Sequence, residues 1–376
     1  MRQLRKFLRE ALLALPGSWF GTRLLPRLRL MYDRLPLYEW RTIRYCRSEA
    51  RHLRRVLDRG ADQFNLVFDS GTVLSYGALI NMIMIARFLA TSGGNVRFAV
   101  VVSSQQLEPE NLSKVQIADR VDELVAIARV LLMSKGCSVH LIDEGALHGW
   151  LDEVPGAVTV FGDFTRNRRP FFRDCFNVFN VLMAELDEPE QDRVLFEPSE
   201  FEEVMPGSFV LDEVGPYVAW QCRYSERGID FGRQTMADEF GRSYQRIKEQ
   251  YPAHRVMIVS DNPGCIHYAK LAESLGIDGL LFTKDYSSDF LGDVSLLMNS
   301  DFVFFFRGGG IGLFAIHSRI PYEYFSPIMN DLMWNDEQFS SWQTHDQHFI
   351  LLEKHQFVTD RSLDLEKIGF SSTGSN

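Results

Sequence analysis

Four segments in the second half of the chain carry residues that suit a phosphate-bearing ligand. Each segment follows a short apolar run, and together they contain Arg223, Asp261, Lys284, and the run Gly308, Gly309 and Gly310. Arginine and lysine side chains bind phosphate oxygens, and glycine-rich helix starts offer their backbone amides to the same atoms. The pattern therefore predicts that these six residues form a site for an anionic ligand.

Each of these residues also has a simpler interpretation. Asp261 can cap a helix that begins near Cys265, and Lys284 can be a solvated turn lysine. Arg223 can form a surface ion pair, and the three glycines can serve a tight turn. The anion site is favoured because all four segments are expected at strand ends.

Two acids in the first half are candidates for a catalytic base. Asp69 and Asp163 each follow an apolar run directly, and a carboxylate at a strand end can accept a proton from a reacting hydroxyl group. The alternative is turn chemistry beside Gly71 and Gly162. Because no DxD pair follows a strand, no metal or other cofactor is predicted.

The elements that must position these residues alternate between strands and helices. Predicted strands of the first half are Asn65 to Asp69, Val96 to Val102, Cys137 to Ile142 and Ala157 to Phe161. Those of the second half are Tyr217 to Cys222, Arg255 to Val259, Gly279 to Phe282 and Asp301 to Phe306. The pattern predicts an α/β fold with two doubly wound, Rossmann-like domains. In such sheets ligands bind at the carboxyl ends of the strands.

Composition divides the chain into four parts. Residues 1–61 are predicted to form a basic amphipathic helical arm, and residues 62–207 the first Rossmann-like domain with a linker from Asp187 to Pro206. Residues 208–330 are predicted to form the second Rossmann-like domain, and residues 331–376 a C-terminal extension.

Charge separates the arm from the rest of the chain. Residues 1–60 contain 15 basic and 5 acidic residues, so they carry +10, whereas the remainder carries −20. Leucines and phenylalanines recur at helical spacing within residues 1–35, with arginines between them, which predicts contact with an anionic membrane surface. The alternative is an arm that packs on its own domain or on a second subunit. A nucleic acid partner is not expected, because the rest of the chain is acidic.

The chain is also expected to lie in the cytoplasm, as a peripheral protein at the inner face of the membrane. No apolar stretch approaches the length of a transmembrane helix, and the first apolar run is too short for a signal peptide. The five cysteines form no CxxC pair, which favours a reducing compartment.

Two such domains facing each other across a cleft resemble the GT-B class of glycosyltransferases, over about residues 62–330. The second domain is most similar to the fucosyltransferase group, in which an HxRxxD pattern follows the first strand and its arginine holds the donor diphosphate. The matching stretch here runs from Gln221 to Glu226 with Arg223 in place, while Gln221 replaces the histidine and Glu226 the aspartate.

The resemblance implies a glycosyltransferase that moves a sugar from a nucleotide-sugar donor to a glycan or lipid-linked acceptor. It implies that the first domain takes the acceptor and the second the donor, with inversion and without a metal. The residues also leave open a nucleotide-sugar epimerase of the same architecture and a non-catalytic nucleotide- or sugar-binding subunit.

Overall fold

Two parallel β-sheets, each covered by helices on both faces, form the protein in a computed structural model. The structure describes residues 48–71, 74–103, 114–160, 172–183, 186–222, 224, 237–306 and 310–325. The predicted fold class, an α/β fold with two Rossmann-like sheets, is confirmed. Residues 1–47, most of the basic arm, and the C-terminal extension 331–376 lie outside the described residues.

The first sheet contains four strands in the order β3-β2-β1-β4, and all of its strand pairs are parallel. Its elements are α1 (residues 48–58), β1 (Gln63–Asp69), α2 (Tyr76–Thr91), β2 (Asn95–Val102), α3 (Lys114–Met133), β3 (Ser138–Asp143), α4 (Leu147–Asp152), β4 (Val158–Thr159) and α5 (Phe172–Met183). Residues of β1 alternate between the two faces of the sheet. Leu66 and Phe68 pack in the large core with α2, whereas Val67 packs with Trp150 of α4 on the other face.

The second sheet contains five strands in the order β7-β6-β5-β8-β9, again parallel throughout. Its elements are α6 (Glu188–Val194), α7 (Leu211–Val214), β5 (Tyr217–Gln221), α8 (Ala237–Gln250), β6 (Arg255–Val259), α9 (Asn262–Leu275), β7 (Leu281–Phe282), α10 (Phe290–Met298), β8 (Phe302–Phe306), α11 (Gly312–Ile316) and β9 (Tyr322–Phe325). In both halves the first strand lies between the second and the fourth. This is the strand order of a Rossmann sheet, which leaves a crevice beside the first strand.

Helix α2 joins the two halves. Thirteen of its 16 residues are buried, so it has almost no solvent face. Its sequence contains few charges, and it packs on the first sheet while also contacting the second half. His317, which follows α11, lies 3.3 Å from the side-chain oxygen of Asn81 in α2. One hydrophobic core therefore continues from Phe88 of α2 to Phe314 of α11.

The stretch from Asp187 to Pro206, interpreted from its composition as a linker, is largely helical. It contains α6 and a 3₁₀ helix over Pro198–Val204. The guanidinium group of Arg87 in α2 donates to the backbone carbonyls of Val194 and Leu195 and to both carboxylate oxygens of Glu200, at 2.6 to 2.8 Å. This connection is therefore held firmly against the first half.

Strand β9 was not predicted, because it is only four residues long and follows Pro321 directly. It pairs in parallel with β8 and buries Glu323, which forms an ion pair with Arg246 of α8. None of the described helices has both the length and the apolar character needed to cross a membrane.

Candidate active site

A cavity of about 910 Å³ lies where the second sheet meets the first half of the chain. One side is formed by the segments that follow β5, β6, β7 and β8, represented by Cys222, Ser260, Lys284 and Gly310. The opposite wall is formed by Tyr76 of α2 and by Arg120 and Glu123 of α3. A volume of this size accommodates a ligand as large as a nucleotide sugar.

The cavity lies at the topological switch point of the second sheet. Strands β5 and β8 are neighbours, but the connection after β5 leads to β6 on one side and the connection after β8 leads to β9 on the other. The two connections therefore diverge and leave a crevice at the carboxyl ends of the strands. The hydroxyl of Ser260 donates to the carbonyl oxygen of Cys222 at 2.7 Å and ties the ends of β5 and β6 together. This edge of the sheet is therefore both open to a ligand and held rigidly.

Lys284 lies in the cavity, as the sequence predicts, but it already has a partner. It belongs to a 3₁₀ turn over Thr283–Asp285, and its Nζ atom is 2.6 Å from Oδ2 of Asp293 in α10. The two side chains are only 15% and 9% exposed. Burial raises the pKa of the Asp293 carboxyl to about 6, against the lowering effect of Lys284. The Asp293 carboxyl therefore loses its proton at a higher pH than an aspartate in water.

Asp261 lies at the cavity and also caps helix α9. Its Oδ1 atom accepts a hydrogen bond from the amide of Gly264 at 2.9 Å, and Pro263 stands in the first turn of the helix. The cap was one of the two predicted roles for this residue. The residue also lines the cavity, so the cap and the cavity meet at this aspartate.

Gly310 lines the cavity at a close contact between the two halves. A Cβ atom at this position would lie 2.6 Å from Cβ of Tyr76 and 2.8 Å from the backbone nitrogen of Gly77. The glycine is therefore required because the turn after β8 packs directly on the start of α2. This role is additional to the predicted one in phosphate binding.

Four predicted site residues, Arg223, Asp163, Gly308 and Gly309, lie outside the described residues. The sequence neighbours of Arg223, Cys222 and Tyr224, both line the cavity, as does Gly310 after the other two glycines. These positions in the chain are consistent with the predicted donor role, which stays a prediction.

Asp69 is the last residue of β1, at the strand end where it was predicted, but the structure does not bring it together with the donor-side residues. Its Oδ1 atom accepts hydrogen bonds from the hydroxyl of Ser103 at 2.8 Å and from the amide of Gly71 at 2.9 Å. It is not among the described residues that line the cavity. The geometry matches the turn chemistry that was the alternative for this residue, and its catalytic role stays a prediction.

Three residues of the opposite wall were not identified from the sequence. The ring of Tyr76 stacks on Phe290 of α10 with 4.0 Å between centroids, and the guanidinium carbon of Arg120 lies 4.4 Å from the centroid of the same ring. The Tyr76 hydroxyl donates to Oε2 of Glu123, which also lies 3.6 Å from Nε of Arg120. Burial, and then the hydrogen bond to Glu123, raise the pKa of Tyr76 well above its usual value, so the hydroxyl stays protonated.

The charge of the described lining is negative. It contains two cations, Lys284 and Arg120, and five acids, Glu123, Asp261, Asp285, Asp289 and Asp293. Both cations are paired with one of these acids. Helices α2, α9 and α10 also begin at the cavity, and their N-terminal amides carry partial positive charge, although Asp261 and Asp289 cap the last two. No group of three or more metal-ligating side chains occurs among the residues described.

No family model matches the sequence, and no curated protein matches it. Solved structures with a similar arrangement include the E. coli heptosyltransferase WaaC with ADP-2-deoxy-2-fluoro heptose, at 10% identity over 76% of this chain and 99% of that one, with a TM-score of 0.37. A glycosyl transferase of family 9 from Veillonella parvula matches at 10% identity over 76% and 89% of the two chains, with a TM-score of 0.38. The UDP-GlcNAc 2-epimerase of Neisseria meningitidis, bound to UDP-GlcNAc, matches at 10% identity over 76% and 92%, with a TM-score of 0.32. At 10% identity the likeness concerns the fold alone.

Proposed function

We propose that the protein is a glycosyltransferase, which moves a sugar from a nucleotide-sugar donor to a glycan or lipid-linked acceptor. The observation that carries the proposal is the cavity between the carboxyl edge of the second sheet and the wall of α2 and α3. It has room for a nucleotide sugar, and a lysine, Lys284, and the turn at Gly310 lie along its second-sheet side. Because the cavity lies between the two halves, a second substrate can bind on the wall formed by α2 and α3.

In this proposal the donor diphosphate binds at the edge of the second sheet. Lys284 and the backbone amides around Gly310 contact its oxygens, together with Arg223, Gly308 and Gly309, while Asp261 contacts a hydroxyl of the ribose. The charge that develops on the leaving diphosphate is then stabilised by cations and helix-start amides, without a metal. Inversion at the anomeric carbon and transfer of a hexosyl or deoxyhexosyl group belong to the same proposal.

The first test is binding of nucleoside diphosphates and nucleotide sugars by the purified protein, followed by release of the diphosphate from each sugar donor. Lys284→Met should weaken nucleoside diphosphate binding about tenfold or more, because a charge-assisted hydrogen bond contributes about 1.5 to 3 kcal/mol. Lys270→Met, on the exposed side of α9, is the matched control and should bind normally.

Loss of Lys284 leaves Asp293 buried without its partner, so a second variant is needed. Lys284→Met combined with Asp293→Asn removes both charges and keeps a similar shape. If binding is lost in the single variant but restored in the double one, Lys284 does not contact the ligand. If no nucleotide or nucleotide sugar binds the unchanged protein, the proposed function is wrong.

Product analysis with the donor alone separates transfer from its alternatives. A changed sugar on an intact nucleotide indicates an epimerase, and tight binding without any turnover indicates a binding subunit. Release of the diphosphate with the sugar passed to water or to an added glycan acceptor supports the transferase.

We also propose that residues 1–35 attach the protein to an anionic membrane surface. The proposal is supported by the alternation of basic and apolar residues in this segment, whereas the remaining part of the chain is acidic. Flotation with liposomes that contain anionic lipid should recover the full chain and lose a variant that lacks residues 1–35. Equal recovery of both would exclude this role.

A further inference from the structure

The wall opposite the second sheet holds one carboxylate at a fixed position. Tyr76 is clamped between the ring of Phe290 and the guanidinium group of Arg120, so its hydroxyl has little freedom. That hydroxyl donates to Oε2 of Glu123. The Glu123 side chain is nevertheless 34% exposed and lines the cavity. It is thus both oriented and accessible, as a group that acts on a substrate must be.

The position of this carboxylate matters because of the geometry of displacement at a sugar carbon. A nucleophile that inverts the anomeric centre approaches on the side opposite to the leaving group. The groups proposed to contact the diphosphate, Lys284 and the backbone amides around Gly310, follow strands of the second sheet and lie on that side of the cavity. The group that deprotonates the nucleophile must therefore lie on the other wall, where Glu123 is the one carboxylate among the described first-half residues that line the cavity.

Three of the four acids on the second-sheet side have other partners, and the fourth, Asp285, lies in the 3₁₀ turn next to Lys284. Asp261 and Asp289 each accept a backbone hydrogen bond at a helix start, from Gly264 at 2.9 Å and Gly292 at 2.8 Å. Asp293 pairs with Lys284. On the first-half side, Asp69 accepts from Ser103 and Gly71 and does not line the cavity.

We infer that Glu123 is the general base of the proposed transfer, and that Tyr76 and Arg120 are the residues that position it. The inference rests on the proposed function. The acceptor hydroxyl gives its proton to a carboxylate oxygen of Glu123, and its oxygen forms the new bond to the anomeric carbon. The bond between that carbon and the phosphate oxygen breaks, and the electron pair leaves with the nucleoside diphosphate.

The test compares Glu123→Gln with the unchanged protein in two measurements. The first is binding of ADP, GDP and UDP by calorimetry, and the second is release of the diphosphate from the corresponding nucleotide sugars, with water or an added glycan as acceptor. Glu123→Gln should keep nucleotide affinity within about threefold and lower turnover at least a hundredfold, the usual contribution of a general base. Glu153→Gln, an exposed acid of the first half, is the matched control and should leave both unchanged.

Azide distinguishes a base from a residue that only shapes the wall. Azide is an anionic nucleophile that needs no deprotonation, so it should restore turnover by Glu123→Gln with a glycosyl azide as product. It should not restore a variant whose cavity has collapsed. Tyr76→Phe keeps the stack with Phe290 and removes only the hydroxyl, and it should lower turnover by a smaller factor with unchanged nucleotide affinity.

Several results would overturn the inference. Turnover by Glu123→Gln within about threefold of the unchanged protein would exclude Glu123 as the base, as would failure of azide to restore it in a folded variant that binds nucleotide. A large loss in Asp69→Asn or Asp163→Asn, with Glu123→Gln still active, would assign the base to one of those residues. An unchanged protein that binds nucleotides and never releases diphosphate would contradict the transferase proposal itself.

Discussion

The Nζ atom of Lys284 lies 2.6 Å from Oδ2 of Asp293, so the cation that the sequence assigns to a ligand is paired with a buried acid. The other carboxylate oxygen of Asp293, Oδ1, is buried and receives no hydrogen bond in the described part of the chain. The Ser287 hydroxyl lies beside this carboxyl group but donates to the carbonyl oxygen of Asp289 at 2.8 Å. The ionised form of Asp293 is therefore poorly solvated in the folded protein.

This environment predicts a pH-dependent stability. Burial raises the pKa of Asp293 from 3.8 to about 6, so between about pH 4 and 6 the folded protein binds more protons than the unfolded chain. The contribution of this group to stability is thus present at pH 4 and is lost as the pH rises through 6, by at most about 3 kcal/mol. Relative to Asp293→Asn, the unchanged protein should lose thermal stability between pH 4.5 and 7.5. A constant difference would contradict this prediction, and Asp278→Asn, at an exposed position, is the control.

His317 predicts the opposite response to acid. It is buried beside Asn81, and burial, followed by the charge of Arg87, lowers its pKa to about 3. Since the unfolded chain binds a proton at this site below about pH 6.5, its contribution to stability falls as the pH drops below that value. His317→Gln should therefore be less acid-sensitive than the unchanged protein when melting temperatures are compared at pH 7.5 and 5. The exposed His148→Gln serves as control, and equal acid sensitivity of the unchanged protein and His317→Gln would show that His317 binds its proton equally well in the folded and unfolded states.

Arg87 is predicted to be essential for holding the connection between the halves against the first half. Its guanidinium group contacts Glu200 and three backbone carbonyls in a fully buried position. Arg87→Met leaves these acceptors without a donor and should lower the free energy of unfolding by about 3 to 5 kcal/mol. Arg319→Met, which breaks an ion pair with Asp192 at the surface, should cost no more than about 1 kcal/mol. Equal effects in chemical denaturation would show that burial does not decide the strength of these pairs.

Gly310→Ala tests the close approach of the turn after β8 to α2. The added methyl group would overlap Tyr76 and Gly77, and overpacking of this kind costs about 1 to 3 kcal/mol. We expect a lower melting temperature together with weaker nucleotide binding, because Tyr76 forms part of the cavity wall. Gly149→Ala is the matched control, since α4 offers open space at that position and alanine favours a helix. Unchanged stability in Gly310→Ala would mean that the turn and α2 lie farther apart.

Most of the fold was predictable because the buried strands are apolar runs that end at turn residues. Arg255–Val259 agrees with the prediction at both ends, and Phe302–Phe306 differs by one residue. Helix α9 begins three residues earlier than predicted, at Asn262, because Asp261 caps it and Pro263 suits its first turn. The sequence does not predict strand β9, because a segment of four residues forms a strand here only by pairing with β8.

The site was predictable on one side only. In a parallel sheet the carboxyl ends of all strands lie at one edge. The sequence therefore predicted that Asp261, Lys284 and Gly310 lie close together, and all three line the cavity. The opposite wall depends on how the halves pack, which no local pattern encodes. Tyr76 and Glu123 are 47 residues apart in sequence, and Glu123 has the pattern of a solvated helix face. The pairing of Asp293 was likewise not predictable from a local pattern, because its partner Lys284 lies on another element.

The central claim is that the cavity beside the second sheet binds a nucleoside diphosphate. The most direct test is photo-crosslinking with azido derivatives of ADP, GDP and UDP, followed by mapping of the modified peptides. We predict labelling within residues 259–263 and 284–290, which line the cavity, and loss of that label when unmodified nucleotide is added in excess. Competed labelling elsewhere, for example at the smaller cavity of about 300 Å³ beside Arg54 and Arg193, or no competed labelling at all, would contradict the claim.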